Sequence, residues 1–307
     1  MDFREITNRV EDILNLNSEL WSNDYDRYAT GILNNTYNIV QESNIINRFD
    51  WRNLHLYTNV NDAMGNRRIS VRFFGQEVAT IQNNKISTID KNNTRYFFNS
   101  PALNEILNTE NDGINTFIEY FNKFTNYNPE YQQQHLHSEE HIIESILLKD
   151  FPNLSNNHMQ PIKLFDKYFF QMPSAINTNG EYGGNGNIDI LAKVDNKLCV
   201  FEIKREPHTI ETIRSGALKQ GAGYAVFLSH LLKSKSGKNW WKIFGFDTPI
   251  PDKLEILVCS VAPDSQMSGE LFTHTIPINN ADTLKLHQIY FNFDGNDKIN
   301  ISRQNIF

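Results

Sequence analysis

The segment IDILAKVDNKLCVFEIK, residues 188–204, contains two largely apolar runs on either side of a polar pair. The pair is Asp195-Asn196, which suits the two-residue turn of a β-hairpin because both residue types tolerate positive φ angles. With the turn there, counting outward along both strands places Asp189 opposite Glu202. The segment therefore predicts an antiparallel hairpin in which two acids face each other.

Directly opposed residues of an antiparallel pair share one face, with Cβ atoms about 4.5–5.5 Å apart, and like charges there repel. Lys204 follows Glu202 by two positions, so it projects from the same face. A cation that joins Asp189 to Glu202 would relieve the repulsion, and hard oxygen ligands suit Mg²⁺ or Mn²⁺. Such an ion would polarise a phosphate and activate a water, while a lysine would stabilise the developing charge.

A purely structural interpretation of these three residues is also open. Asp189 and Glu202 could lie on a solvated face with Lys204 as a surface partner, since acid-x-Lys tripeptides are common. The surrounding residues argue against it, because charges embedded in buried strands need a partner or a function. The apolar residues that make both strands look buried are Ile188, Ile190, Val200, Phe201 and Ile203.

The first part of the chain mixes helical and strand patterns. Apolar residues recur at helical spacing in residues 3–20, in residues 24–46 and in residues 114–124. Alternating runs at residues 69–73 and 78–81 predict antiparallel strands. This part is expected to choose the substrate, recruit a partner or mediate homo-oligomerisation.

The polar stretch 126–134 is the predicted domain boundary. It separates an N-terminal helical and β domain, residues 1–130, from a C-terminal domain, residues 131–307. From Ser138 onward the order is helix, strand, hairpin, helix, strand, which predicts an α/β or α+β fold. The helix after the hairpin is expected from about Thr209 to Leu232, and the strand that follows from Leu254 to Val261.

Over about Ser138 to Val261 these features resemble the PD-(D/E)XK phosphodiesterase superfamily. Its core is an acidic helix, a strand with a metal-binding Asp, a strand with acidic-x-Lys and a following helix. The resemblance implies a restriction-endonuclease-like mixed sheet flanked by helices. It also implies that Asp189, Glu202 and the carbonyl of Ile203 ligate metal, and that Lys204 serves the attacking water.

The predicted helix after the lysine contains Gln220 and Tyr224. Their spacing is similar to the Gln-x-x-x-Tyr arrangement of the RecB-type exonuclease-like branch, and one helical turn puts both side chains on one side. The resemblance implies that they contact substrate and support the metal centre. A solvated Gln beside a core Tyr is the alternative. Ile188 stands where the superfamily's name has proline.

The upstream helix supplies the candidates for the accessory acid, which are Glu139, Glu140 and Glu144. We favour Glu140, although the sequence does not separate the three. Arg205 and Lys219 are expected to bind substrate phosphates. Further basic residues could extend that patch or be ordinary surface lysines and arginines; they are Arg214, Lys233, Lys235 and Lys238.

The net charge of −7 argues against binding nucleic acid by bulk electrostatics, so a local basic patch or metal ions would be needed. Cys199 and Cys259 lie in apolar runs, which indicates buried thiols of a reducing compartment. No signal peptide and no apolar stretch of membrane-spanning length are visible. These features favour a cytoplasmic protein without a membrane partner.

The expected activity is hydrolysis of DNA, rather than RNA, with Mg²⁺ as cofactor and Mn²⁺ as its substitute. By family analogy the chain would be a restriction or phage-defence endonuclease. One alternative is a catalytically silent nuclease fold that serves as a nucleic-acid-binding or interaction module. Another is a zinc metalloprotease, because His137, Glu140 and His141 fit an H-x-x-E-H string, with Glu211 as a conceivable third ligand.

Overall fold

The structure is a computed structural model of the 307-residue chain. It describes residues 2–41, 54–66, 68–73, 75–83, 85–88, 106–108, 115–117, 119, 140–165, 168–183, 186–205, 209, 212–264, 270–278, 281–293 and 299–306.

Five helices of the described residues are α1 (Phe3–Leu16), α2 (Ser18–Gln41), α3 (Glu140–Leu154), α4 (Leu218–Lys233) and α5 (Gly237–Ile243). The strands before α4 are β1 (Leu54–Thr58), β2 (Ile69–Phe73), β3 (Gln76–Gln82), β4 (Lys85–Thr88), β5 (Ile106–Asn108), β6 (Met159–Pro161), β7 (Lys163–Leu164), β8 (Tyr168–Phe170), β9 (Ile190–Val194) and β10 (Lys197–Ile203). After α5 come β11 (Glu255–Pro263), β12 (His274–Ile278), β13 (Asp282–Phe293) and β14 (Ile299–Gln304).

Two mixed sheets are formed by these strands, and the predicted α+β class is confirmed at that level. The first sheet has the order β5-β4-β3-β2-β1-β8-β7, with β1 and β8 parallel. The second has the order β12-β13-β11-β10-β9-β6, and β14 also pairs with β13. Within it β9 and β10 form the predicted antiparallel hairpin, whereas β10 and β11 run parallel and are connected through α4 and α5.

The second sheet is covered on both faces, which explains why its central strands are apolar at nearly every position. One face buries Ala192, Cys199 and Phe201 in a cluster that also contains α3 and the first sheet. The other face buries Leu198 and Val200 together with α4 and the N-terminal helices. The alternation of side chains along β10 therefore decides which helix each residue meets.

The N-terminal helices pack on α4. Helix α1 begins at Asp2, whose carboxylate accepts a hydrogen bond from Arg4 N at 3.2 Å, as an N-cap does. Trp21 of α2 donates from Nε1 to Leu14 O at 2.9 Å, and its ring meets Phe227 of α4 edge-on at 5.9 Å. Helix α2 begins earlier than the predicted residue 24.

The predicted boundary at residues 126–134 lies outside the described residues. Segments from both sides of it share the first sheet, through the pairing of β1 with β8. They also share the core around α4. Of the predicted helix at residues 114–124, residues 115–117 are helical, and most of the rest is not described.

Cys199 and Cys259 are buried free thiols on the neighbouring strands β10 and β11, as predicted. In the described part of the chain, no helix has the length and hydropathy to cross a membrane.

Candidate active site

The β9–β10 hairpin brings Asp189 and Glu202 together. Asp195 and Asn196 have φ angles of 47° and 69°, as a type I′ turn requires. The ladder runs outward from this turn to the pair Phe201 and Ile190, so Asp189 is the next residue and Glu202 follows on the partner strand. Asp189 Oδ2 accepts a hydrogen bond from Ile203 N at 2.9 Å, which continues the hairpin through a side chain.

Glu202 is fully buried, with 0% of its surface exposed. It lies on the face of β10 that is covered by α4, in the same alternation as Leu198 and Val200. Gly221 makes this close packing feasible, because a Cβ there would lie 3.2 Å from Glu202 Cγ and 2.7 Å from Val258 Cγ1. Neither carboxylate oxygen of Glu202 accepts a hydrogen bond from a donor group in the described residues.

Burial is the main cause that raises the pKa of both acids, and a hydrogen bond between the two side chains raises the pKa of Glu202 and lowers that of Asp189. Burial raises the pKa of Glu202 well above its ordinary value of 4.5, and the charge of Asp189 raises it further, while Lys204 opposes the rise. Burial also raises the pKa of Asp189 to about 6, against the opposing effects of the Ile203 N–H and Lys204. Near neutral pH Glu202 therefore retains its proton and shares it with the mostly ionised Asp189, unless a cation takes the place of that proton.

Helix α3 places further acids beside the hairpin. Glu140 Oε1 lies 3.8 Å from Lys204 Nζ, and its charge contributes to the raised pKa of both Asp189 and Glu202. One turn later, burial raises the pKa of Glu144 to about 8, with Asp189 as the second cause. Both candidates for the accessory acid thus interact with the site, and Glu139 lies outside the described residues.

Helix α4 lies over the other side of the acid pair. Gln220 Nε2 donates to Tyr224 Oη at 3.3 Å, one helical turn apart. Burial raises the pKa of Tyr224 above its ordinary range, and the next cause is the charge of Glu202. The two side chains are therefore joined to each other, and Tyr224 is fully buried in the core around α4, as the alternative of a core tyrosine expects.

Two neighbours of the acids carried no signal in the sequence. Ser260 of β11 pairs with Glu202 in the parallel ladder and is buried, and its Oγ has no hydrogen-bond partner among the described residues. Arg72 of β2 lies 4.4 Å from the Tyr57 ring centroid and opposes the rise in the pKa of Glu144. Both depend on pairings between distant strands that residue spacing does not reveal.

The predicted basic patch is only partly gathered near the acids. Lys219 and the exposed Arg205 lie at the start of α4 and at the end of β10, respectively. In contrast, Lys233 at the far end of α4 lies 2.7 Å from the buried Asp282, and Lys235 lies 3.3 Å from Asp26. The latter two lysines thus stabilise the packing of α4 and its neighbours.

The zinc alternative receives no geometric support. His137 and Glu211 lie outside the described residues, and His141 is on α3, whose Glu140 is directed toward Lys204. Across the described residues, no three or more His, Cys, Asp or Glu side chains group as metal ligands. What the hairpin offers is a carboxyl pair with the neighbouring backbone of Ile203.

That donor set fits a hard divalent cation. Asp189 and Glu202 supply oxygen ligands, which Mg²⁺ and Mn²⁺ prefer, and the ion typically completes its shell with water and substrate oxygens. The carboxyl groups of Glu202 and Asp189 interact with each other, so a cation between them would take the place of the proton that they share. A cation would also offset the repulsion that raises both pKa values.

No protein-family model, no curated protein and no solved structure matches this chain.

Proposed function

We propose that this chain is a Mg²⁺-dependent nuclease that hydrolyses phosphodiester bonds of DNA in the manner of the PD-(D/E)XK superfamily. The observation that carries the proposal is the fully buried carboxyl group of Glu202, which faces Asp189 across the hairpin and interacts there with a second carboxyl group. Lys204 lies beside the pair and is bridged to α3 through Glu140. A fold retains such an arrangement at a cost in stability, which favours a catalytic role.

The order of elements supports the finer fold assignment. Helix α3 is followed by β6, by the β9–β10 hairpin, by α4 and by β11 parallel to β10. This is the order that the restriction-endonuclease-like core has in the resemblance. The proposed roles as a restriction or phage-defence endonuclease in the cytoplasm rest on that analogy alone.

Asp189, Glu202 and the carbonyl of Ile203 would hold the metal. A bound Mg²⁺ supplies Lewis acidity toward a phosphate oxygen and lowers the pKa of a coordinated water. Lys204 Nζ, restrained by Glu140, would orient the attacking water and stabilise charge that develops on the phosphate.

Two further side chains would handle substrate and proton. Gln220, positioned by its hydrogen bond to the buried Tyr224, would contact the strand beside Glu202. Glu144, with its pKa raised to about 8, is suited to exchanging a proton near neutral pH. Because metal ligands must be deprotonated, cleavage should become faster as pH rises through the pKa of about 6 of Asp189.

The test is cleavage of labelled linear and circular DNA, and of RNA, with Mg²⁺, Mn²⁺ or EDTA. Lys204→Met should lower the cleavage rate about 100-fold or more, as the loss of a transition-state contact does. Lys253→Met is the matched control, because Lys253 is exposed on the loop before β11. Circular dichroism should show that both variants are folded.

The outcomes separate the candidate functions. Metal-dependent cutting of DNA that Lys204→Met abolishes and Lys253→Met retains would support the proposal, and cutting of the circle would identify an endonuclease. Faster cleavage of RNA than of DNA would identify RNA as the substrate. Binding without cutting under every condition would contradict the proposal and favour the catalytically silent module.

A further inference from the structure

A cleft of about 660 Å³ lies between α1, the loop of residues 176–180 and the start of α4. Its volume is in the range of roughly 300–1,000 Å³ that holds small ligands. Such a space accommodates a short length of one nucleic-acid strand and is too small for a duplex. The sequence patterns predict substrate binding for Lys219 and Gln220, which line the cleft, but assign no such role to Arg9 or to the loop of residues 176–180.

The wall of the cleft is positively charged, although the chain as a whole has a net charge of −7. Arg9 of α1 and Lys219 of α4 both line it, and the described lining contains no acidic side chain. Glu181, the nearest acid in sequence to the loop, accepts a hydrogen bond from Asn177 Nδ2 at 3.0 Å and is not part of the wall.

Arg9 and the loop are held in place before any ligand binds. Arg9 donates to Asn179 O, which fixes the guanidinium against the loop while leaving other N–H groups to bind an anion. Asn177 Oδ1 accepts hydrogen bonds from Asn179 N at 2.9 Å and Glu181 N at 3.0 Å, so the loop is closed on itself. The cleft is therefore preorganised.

The cleft adjoins the candidate active site. Gln220 lines it and donates to Tyr224 Oη. The next residue, Gly221, packs closely against Glu202, since a Cβ at Gly221 would lie 3.2 Å from Glu202 Cγ. A strand that occupies the cleft would therefore pass from α1 along the start of α4 toward the acid pair.

We propose that this cleft holds a single-stranded segment of the nucleic acid next to the phosphate that is cut, with Arg9 and Lys219 contacting its backbone phosphates. The inference rests on the proposed nuclease function and names the substrate class as nucleic acid with an unpaired strand. It also gives α1 a direct part in substrate binding. A positively charged groove that follows the backbone is one of the features by which proteins bind single strands without regard to sequence.

The first test is the salt dependence of binding of a fluorescent single-stranded oligonucleotide, measured by anisotropy in EDTA and again with Ca²⁺. Each lost phosphate contact should reduce the slope of log K against log salt by about 0.7. Arg9→Ala and Lys219→Ala should each do so, and Arg9→Lys should keep the wild-type slope. Arg4→Ala is the matched control, since Arg4 is exposed on α1 and does not line the cleft.

A second test compares a charged and a neutral side chain at one position of the cleft, without removing any contact. Gly216 lines the cleft, and a Cβ there would have no heavy atom within 4 Å. Gly216→Glu should therefore fold and weaken binding about 10-fold or more, whereas Gly216→Gln, of the same size but neutral, should bind more tightly than Gly216→Glu. Binding should also be weaker for a blunt duplex than for a single strand.

The outcomes are distinct from those of the cleavage assay. Unchanged salt slopes in Arg9→Ala and Lys219→Ala, or equal binding by Gly216→Glu and Gly216→Gln, would show that the strand does not bind in the cleft. This conclusion would hold even if the chain cuts DNA. Reduced salt slopes in these variants, together with no cleavage by the wild type, would support strand binding in the cleft and contradict the proposed nuclease activity.

Discussion

Glu202 illustrates how a single residue links stability to function. Its carboxyl group is fully buried, and burial and Asp189 raise its pKa. In the folded chain without a cation, it therefore keeps its proton well above the ordinary value of 4.5. The stability that this protonated group contributes is fully present below pH 4.5 and is lost as pH rises toward the folded-state pKa, because only the unfolded chain releases the proton in that interval.

Glu202→Gln should remove this pH dependence, since an amide does not titrate. We expect the variant to be more stable than the wild type by about 1–3 kcal/mol near neutral pH in EDTA, and by progressively less as pH falls toward 4.5. Urea unfolding at several pH values measures the difference. Cleavage should be abolished.

Glu5→Gln on α1 is the matched control, because Glu5 is exposed, and it should change neither stability nor cleavage appreciably. A Glu202→Gln variant that is less stable than the wild type at neutral pH would show that the carboxyl group is satisfied in its ionised form.

The hairpin is the element that the sequence predicts best. Asp195-Asn196 defines the turn, the turn defines the register, and the register defines which acids meet. The sequence predicts the helix that contains α4, although α4 itself begins only at Leu218, and it does not predict which face of α4 meets β10, because buried residues occupy nearly every position. Its close approach to β10 depends on the absence of a side chain at Gly221, and a helical glycine has no pattern of its own.

Gly221→Ala should test this approach. The new Cβ would lie 2.7 Å from Val258 Cγ1 and 3.2 Å from Glu202 Cγ, so we expect a loss of about 1–3 kcal/mol despite the higher helix propensity of alanine. Cleavage should fall as Glu202 is displaced. Adding Val258→Ala should recover part of the stability, which a double-mutant cycle by urea unfolding would measure.

Gly223→Ala is the control in the same helix. Its Cβ would meet the flexible end of Ile176 at 3.2 Å, and the substitution should leave stability unchanged or raise it. If Gly221→Ala and Gly223→Ala lower the free energy of unfolding equally, the contact of Gly221 with β10 and β11 is not the cause of the lower stability.

At the scale of the whole molecule, the N-terminal helices belong to the core around α4. Leu14 is fully buried there, whereas Leu16 on the same helix is 85% exposed. Periodicity predicts that α1 has an apolar face but not which surface covers it, because that depends on contacts across more than 200 positions, such as the stacking of the Phe3 and Phe272 rings at 5.7 Å. The sequence therefore predicted the helix and not its partner.

Leu14→Ala should lower the free energy of unfolding by about 2–5 kcal/mol, and Leu16→Ala should change it by less than about 0.5 kcal/mol. Urea unfolding followed by tryptophan fluorescence and by circular dichroism would measure both. A single transition in each probe is expected, because α1 and α4 share one core. A Leu14→Ala variant in which only part of the signal is lost at low urea would indicate that α1 and α2 unfold separately.

In the proposed nuclease, the buried pair Asp189 and Glu202 holds the metal ion that is required for cleavage. The most direct measurement is the rate at which the wild type and Glu202→Gln cut labelled DNA with Mg²⁺, each at matched folded concentration. If the acid pair binds the catalytic metal, the wild type should cut DNA and EDTA should stop the cutting. The folded Glu202→Gln variant should show no detectable cutting. Equal rates for the two proteins would contradict this role of the acid pair.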